Sequence, residues 1–275
     1  MRFAAALLLA AASTTVCAQR GTFADPALDE TSGLARSLRE ADLYWAHNDS
    51  GDGPVLYRSG PGGESLGAVT VPAARAVDWE DIASFQDRGQ PALLIADTGD
   101  NFALRNSVTL YAVRDPGRGD DVALLWRLEF RWPDGPRDCE AVAVDASRGE
   151  ILLLSKRDSP PRLYRLPLPD RTPRAVKVAE PLGVLPGIPG RLLERPTAMD
   201  LSPDGRRLLV LTQRHLYLYR AQPGGWGESV TQPPRVVELP LLAQAEGAAF
   251  DASGRRVLVG SEGHPSRFVW VDLPR

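Results

Sequence analysis

Hydrophobic residues in this chain fall in short runs broken by Gly, Pro and charged residues, and the runs repeat a fixed phrase. A polar or acidic residue opens a small apolar stretch at Ser32-Gly33-Leu34-Ala35, Glu80-Asp81-Ile82-Ala83, Glu140-Ala141-Val142-Ala143, Thr197-Ala198-Met199-Asp200 and Glu246-Gly247-Ala248-Ala249. A second, more apolar run follows each and ends on a polar residue: His47, Asp97, Ser155, Thr212 and Ser261. The two landmarks lie 15, 17, 15, 15 and 15 residues apart, and successive openings 48, 60, 57 and 49. Runs this short, bounded by turn residues, read as β-strands. A third run carries Leu56-Tyr57, Leu110-Tyr111, Leu163-Tyr164, Leu216-Tyr217 and Val269-Trp270, so aromatic and branched side chains recur at matching places, as sheets packed face to face require.

Outer fourth strands are expected at Leu66 to Val71, Ala123 to Phe130, Ala175 to Val178 and Arg235 to Leu239. The fifth repeat has no such segment, and an unpaired edge invites aggregation. The stretch from Gly21 to Leu28 is expected to fill that edge and join the termini. A period near 50 built of short strands predicts an all-β, five-bladed β-propeller with four-stranded antiparallel blades, closed by an N-terminal strand. Six blades would need another copy of the phrase, and none is present.

The repeat turns positions into places. Where the first strand of each blade is innermost and the second antiparallel to it, all five opening residues meet at one mouth of the central channel. These are Ser32, Glu80, Glu140, Thr197 and Glu246; two positions earlier stand Glu30, Asp78, Asp138, Arg195 and Gln244. Crowded carboxylates raise one another's pKa unless a cation or strong hydrogen bonds keep them ionised. A ring of carboxylate and hydroxyl oxygens suits calcium better than zinc, which makes the five opening residues candidate calcium ligands. The alternative is that they bond backbone amides and channel water.

Beyond the second strands, Lys156, Arg157 and Arg214 form a basic arc, while Asp97, Asp100 and His47 are placed to orient water. A metal beside such an arc would bind and polarise a phosphate ester, making a small anionic or phosphorylated molecule the expected ligand. The plainer reading of each arginine is a solvated ion pair on the rim. Likewise Asn48-Asp49-Ser50-Gly51-Asp52 and Asp97-Thr98-Gly99-Asp100-Asn101 suit tight turns better than complete calcium loops.

Composition narrows the setting. Arg2, the apolar run from Phe3 to Ala12 and Val16-Cys17-Ala18 have the layout of a secretory signal, predicting a signal peptide over 1–18, one propeller domain over 19–275, and a periplasmic or secreted protein. The run is shorter than the ~20 apolar residues that span a bilayer, so no membrane span is expected after cleavage. Net charge is −3 for the whole chain, which gives no electrostatic footprint for a nucleic-acid polymer. Cys139 would be the sole cysteine after processing; adjoining Glu140 and turned from the channel, it reads as a core thiol.

The order Ser, Glu, Glu, Thr, Glu resembles the calcium-activated nucleotidases, or apyrases, five-bladed propellers that hold calcium in a Ser, Glu, Glu, Ser, Glu ring. Ser32-Gly33-Leu34, Trp79-Glu80-Asp81 and Glu246-Gly247 stand where that family's motifs fall. Glu30-Thr31-Ser32-Gly33-Leu34, Asp78-Trp79-Glu80-Asp81-Ile82-Ala83 and Asp97-Thr98-Gly99-Asp100-Asn101 are also similar to bacterial exported propellers grouped with phytase-like esterases. The resemblance implies a calcium-dependent phosphoester hydrolase. Thr197 departs from it, and the apyrases' nucleotide-contacting segments have no counterpart here. A non-catalytic ligand- or protein-binding propeller with structural calcium is the alternative. Gluconolactonases, with six blades and Glu/Asn/Asp metal ligands, fit less well.

Overall fold

The computed structural model describes residues 18–274. Five small antiparallel sheets form a ring, a five-bladed β-propeller with almost no helix. The inner strands are Thr31–Arg36, Trp79–Asp87, Cys139–Asp145, Pro196–Leu201 and Ala245–Phe250. Each lies against the next, and the last against the first. Their small residues permit this approach. A Cβ at Gly247 would lie 2.9 Å from Leu34 Cγ and 3.1 Å from the Gly33 backbone.

Five apolar clusters hold the ring, one between each pair of neighbouring blades. The strand alternation builds them, because successive side chains point to opposite faces. In Arg207–Thr212, Leu208 and Val210 pack toward the third blade while Leu209 and Leu211 pack toward the fifth. Strands covered on both faces read as continuous apolar runs, which explains the pattern of the second strands. Trp126 and Trp132 lie between the second and third blades and Trp226 between the third and fourth.

Two expected outer strands are corrected. The fifth blade is closed by an N-terminal strand, but by Ala18–Thr22, paired antiparallel with Arg267–Asp272, rather than by Gly21 to Leu28. Past Thr22 the chain leaves the ladder for the first blade, where the Ala24 amide donates to the Gly63 carbonyl at 2.8 Å. Phe23 and Leu28 instead turn inward against Phe268, Trp270 and Leu34. In the third blade the outer strand is Glu180–Val184, not Ala175 to Val178. Lys177–Val178 crosses to the second blade and pairs parallel with its outer edge. Pro181 and Gly183 hid the true strand, since both weaken a strand signature yet are tolerated at an edge.

Residues 1–17, which carry most of the predicted signal segment, lie outside the described residues. No helix among the described residues is long and apolar enough to cross a membrane.

Candidate functional site

In all five blades the register between the inner and second strands skips one residue, and the skipped residue is the opening residue of the phrase. Pairing passes from Thr31 to Gly33, Trp79 to Asp81, Cys139 to Ala141, Pro196 to Ala198 and Ala245 to Gly247. A bulge leaves one residue unpaired and re-aims its side chain. Ser32, Glu80, Glu140, Thr197 and Glu246 are thus released from the ladder at the same level of the ring.

Their contacts differ. Ser32 Oγ donates to the Glu80 carbonyl at 2.7 Å, and Thr197 Oγ1 to the Ala245 carbonyl at 2.9 Å, so both hydroxyls tie a blade to its successor. Each oxygen keeps lone pairs for a further partner. Glu140 forms an ion pair with Lys156 Nζ, and Glu246 Oε1 accepts a hydrogen bond from Gln213 Nε2 at 3.3 Å. Glu80 is only 4 % exposed, and its carboxylate has no hydrogen-bond or ion-pair partner among the described residues.

Glu80 belongs to two overlapping groups of carboxylates, one with Asp49 and Asp78 and one with Asp138 and Glu140; within each, one oxygen per residue lies within 4.8 Å of the others. Asp138 is already committed, accepting the Asp100 amide at 3.0 Å and Arg157 Nε at 2.8 Å. Glu140 is held by Lys156. The Asp49–Asp78–Glu80 side is therefore the less neutralised half. Backbone shape makes room for it: a Cβ at Gly99 would lie 2.0 Å from Glu80 Oε1 and 2.4 Å from Asp78 Oδ2.

The electrostatics follow. Burial, then the charges of Asp49 and Asp78, push the Glu80 carboxyl well above its usual range. Burial and Asp49 push Asp78 up to about 6. On the other flank burial and Glu246 push Glu262 up to about 8, and burial raises Glu246 itself. Lys156 opposes the rise at Glu80, Glu246 and Glu262, which makes it the internal counter-ion of the mouth.

The other expected site residues are placed as follows. Arg157 is tied to Asp138 and to Asn101. Arg214 is exposed, with no side-chain hydrogen bond or ion pair among the described residues. Asp97 accepts Arg105 Nη2 at 2.8 Å and the Asp78 amide at 3.1 Å. Asp100 accepts the Leu104 and Arg105 amides, closing its loop. His47 is wholly buried, with Nδ1 2.8 Å from the Asn48 carbonyl and its ring edge-on to Trp79; burial lowers its pKa, so it is neutral. The structure thus brings together Glu80, Glu140 and Lys156, and keeps His47, Asp97 and Asp100 in structural contacts. Cys139 is buried, and burial pushes its thiol up to about 12, far from a nucleophile's range.

Sequence reasoning places Asp49 and Glu262 at the mouth, past the second strands, but does not count them among the candidate ligands. Both follow the second strand of a blade, Asp49 after Asn48 and Glu262 after Ser261, and that strand end is the signal that puts them at the mouth.

Comparison with known proteins finds no matching family model and no match among curated proteins. Among solved structures the chain is similar to a gluconolactonase from Xanthomonas campestris, at 13 % identity and a TM-score of 0.50, covering 89 % of this chain and 72 % of that one. It is also similar to a chain of a nidogen/laminin complex, at 14 % identity and a TM-score of 0.46, covering 85 % and 72 %. At these identities the likeness concerns the fold.

Proposed function

We propose that the protein binds a divalent cation, calcium, at this mouth and that the loaded mouth takes up a small anionic, phosphorylated ligand. The observation that carries this reading is Glu80. A buried carboxylate without a partner, next to Asp78 and Asp49, is costly, and a cation is what its surroundings lack. Donors that are all oxygen favour calcium over zinc. Asp49, Asp78 and Glu80 would hold the ion by their proximity to one another, with Ser32, Glu140, Thr197 and Glu246 beside it, and the resemblance to calcium-activated nucleotidases supports the five ring members. The ion would supply polarisation of a phosphoryl oxygen. Arg214 and Lys156 would receive the ligand's negative charge.

Hydrolysis of that ligand is a second reading, favoured by Asp49. This half-buried carboxylate stands in the same group as Glu80, and the motifs shared with phytase-like esterases point to hydrolysis.

The test is calorimetric titration of chelator-treated protein with calcium, followed by turnover assays on nucleotides, phytate, generic phosphoesters and, given the neighbouring fold, an aldonolactone. Saturable calcium binding that is lost in Glu80→Gln supports the site. Phosphate release that depends on calcium supports hydrolysis, and its absence leaves binding alone. Protein that ignores calcium would refute both.

A further inference from the structure

The opposite end of the channel is made by the other ends of the same inner strands. Arg36, Ser84, Val144, Asp200 and Phe250, one from each blade, line a cavity of 520 Å³ there. That lies within the range of small-molecule sites, about 300–1,000 Å³. The cavity is lined by one cation, Arg36, and three carboxylates, Asp145, Asp200 and Asp204, and Arg36 meets none of them. Arg36 Nη1 donates to the Ser37 carbonyl at 3.0 Å, and its guanidinium has no carboxylate partner among the described residues. Asp200 accepts the Leu201 and Phe250 amides, each at 2.8 Å, and has no cationic partner there either.

The remaining polar groups divide clearly. Ser84 spends its hydroxyl on the Arg36 carbonyl, Asp145 is occupied by Ser147, the Arg148 amide and the Trp226 indole, and Asp204 by the Ser202 hydroxyl and the Arg206 amide. Gln86, exposed at the edge of the cavity, has an amide with no partner among the described residues. Arg36 therefore offers a planar donor fork suited to a carboxylate. Asp200 keeps acceptor capacity beyond the two amides it receives, so it asks for a donor. Val144 and Phe250 give the carbon skeleton an apolar surface.

We propose that this cavity binds a small organic acid carrying a second hydrogen-bond donor, a hydroxy or amino acid, with its carboxylate on Arg36 and its hydroxyl or ammonium on Asp200. The site is independent of the cation mouth, since the two lie at opposite ends of the inner strands.

Calorimetry with lactate and with glycine tests it, with acetate and ethanolamine as probes that carry only one of the two groups. Saturable binding of lactate, glycine or both is expected, with acetate and ethanolamine weaker by about tenfold or more, the loss of one charge-assisted hydrogen bond. Arg36→Gln should weaken binding by a similar factor while its calcium titration stays unchanged, and Gln86→Ala, on the exposed edge, should weaken it less. Melting curves confirm that each variant is folded. The proposal is overturned if neither two-group probe binds, if acetate binds as well as lactate and glycine, or if Arg36→Gln binds as tightly as the parent protein.

Discussion

Asp81 Oδ2, on the inner strand of the second blade, accepts the backbone amide of Met199, on the inner strand of the fourth, at 3.1 Å. The same oxygen accepts the Val142 amide of the third blade at 2.9 Å, and Oδ1 takes the Ile82 amide at 2.9 Å. One wholly buried carboxyl thus joins three blades next to the bulge that releases Glu80.

Asp81→Ala would leave those buried amides without an acceptor. Each orphaned donor costs about 1–3 kcal/mol, so the expected loss is roughly 3 kcal/mol or more. Asp81→Asn keeps one acceptor oxygen and should lose less. Urea unfolding measures both, and a neutral Asp81→Ala would show that the three-blade junction contributes nothing to stability.

Glu80→Gln should act in opposite directions with and without a cation. In chelator the parent protein carries a desolvated carboxyl beside Asp49 and Asp78, and the neutral amide relieves that repulsion. The variant should therefore melt a few degrees higher than the parent in chelator. With calcium present the order should reverse, because ligand binding stabilises only the protein that retains the site. A calcium-induced shift that survives in Glu80→Gln would place the ion elsewhere.

Gly99→Ala probes the same site through the backbone. The added Cβ would occupy the place of Glu80 Oε1 and Asp78 Oδ2, and these side-chain ends can swing away. The expected stability cost is small, about 1 kcal/mol, while calcium affinity should fall by about tenfold or more as the carboxylates are forced apart. Equal calcium titrations for Gly99→Ala and the parent would contradict the geometry.

These contrasts show where the sequence was informative. The blade interfaces and the ring positions were legible because both depend on strand alternation, repeated five times around apolar second strands. The closing strand was not, since Ala18–Thr22 reads Ala-Gln-Arg-Gly-Thr and carries no apolar alternation. At the site, the spacing located Glu80 and Glu140 but not their unequal fates. Glu140 meets Lys156 from the loop that follows its own blade's second strand, whereas Glu80 meets Asp49 from a loop of the first blade. Such partnerships depend on where a bulge aims a side chain, which residue identity alone does not encode.

Asp200 gives the fold a pH dependence of defined sign. Burial pushes its carboxyl from the ordinary 3.8 up to about 7, against the partial relief from the Phe250 and Leu201 amides and Arg36. Between those values the unfolded chain has lost the proton that the folded chain keeps, so folding binds a proton and stability falls as pH rises. The contribution is complete below about pH 4 and gone above about pH 7, and at 1.36 kcal/mol per pKa unit its upper bound is about 4 kcal/mol, reduced because Asp200 is only partly buried beside the cavity. Asp200→Asn mimics the protonated form at every pH and lacks this dependence. Chemical denaturation at steps between pH 4 and 8 should therefore show the parent gaining stability on the variant as the pH is lowered. Because Asp78, Glu80 and Glu262 titrate in both proteins, the difference between the two curves isolates Asp200. A difference that stays constant across the range would mean that Asp200 is ionised in the folded protein throughout, and that the far end of the channel is wetter than its contacts imply.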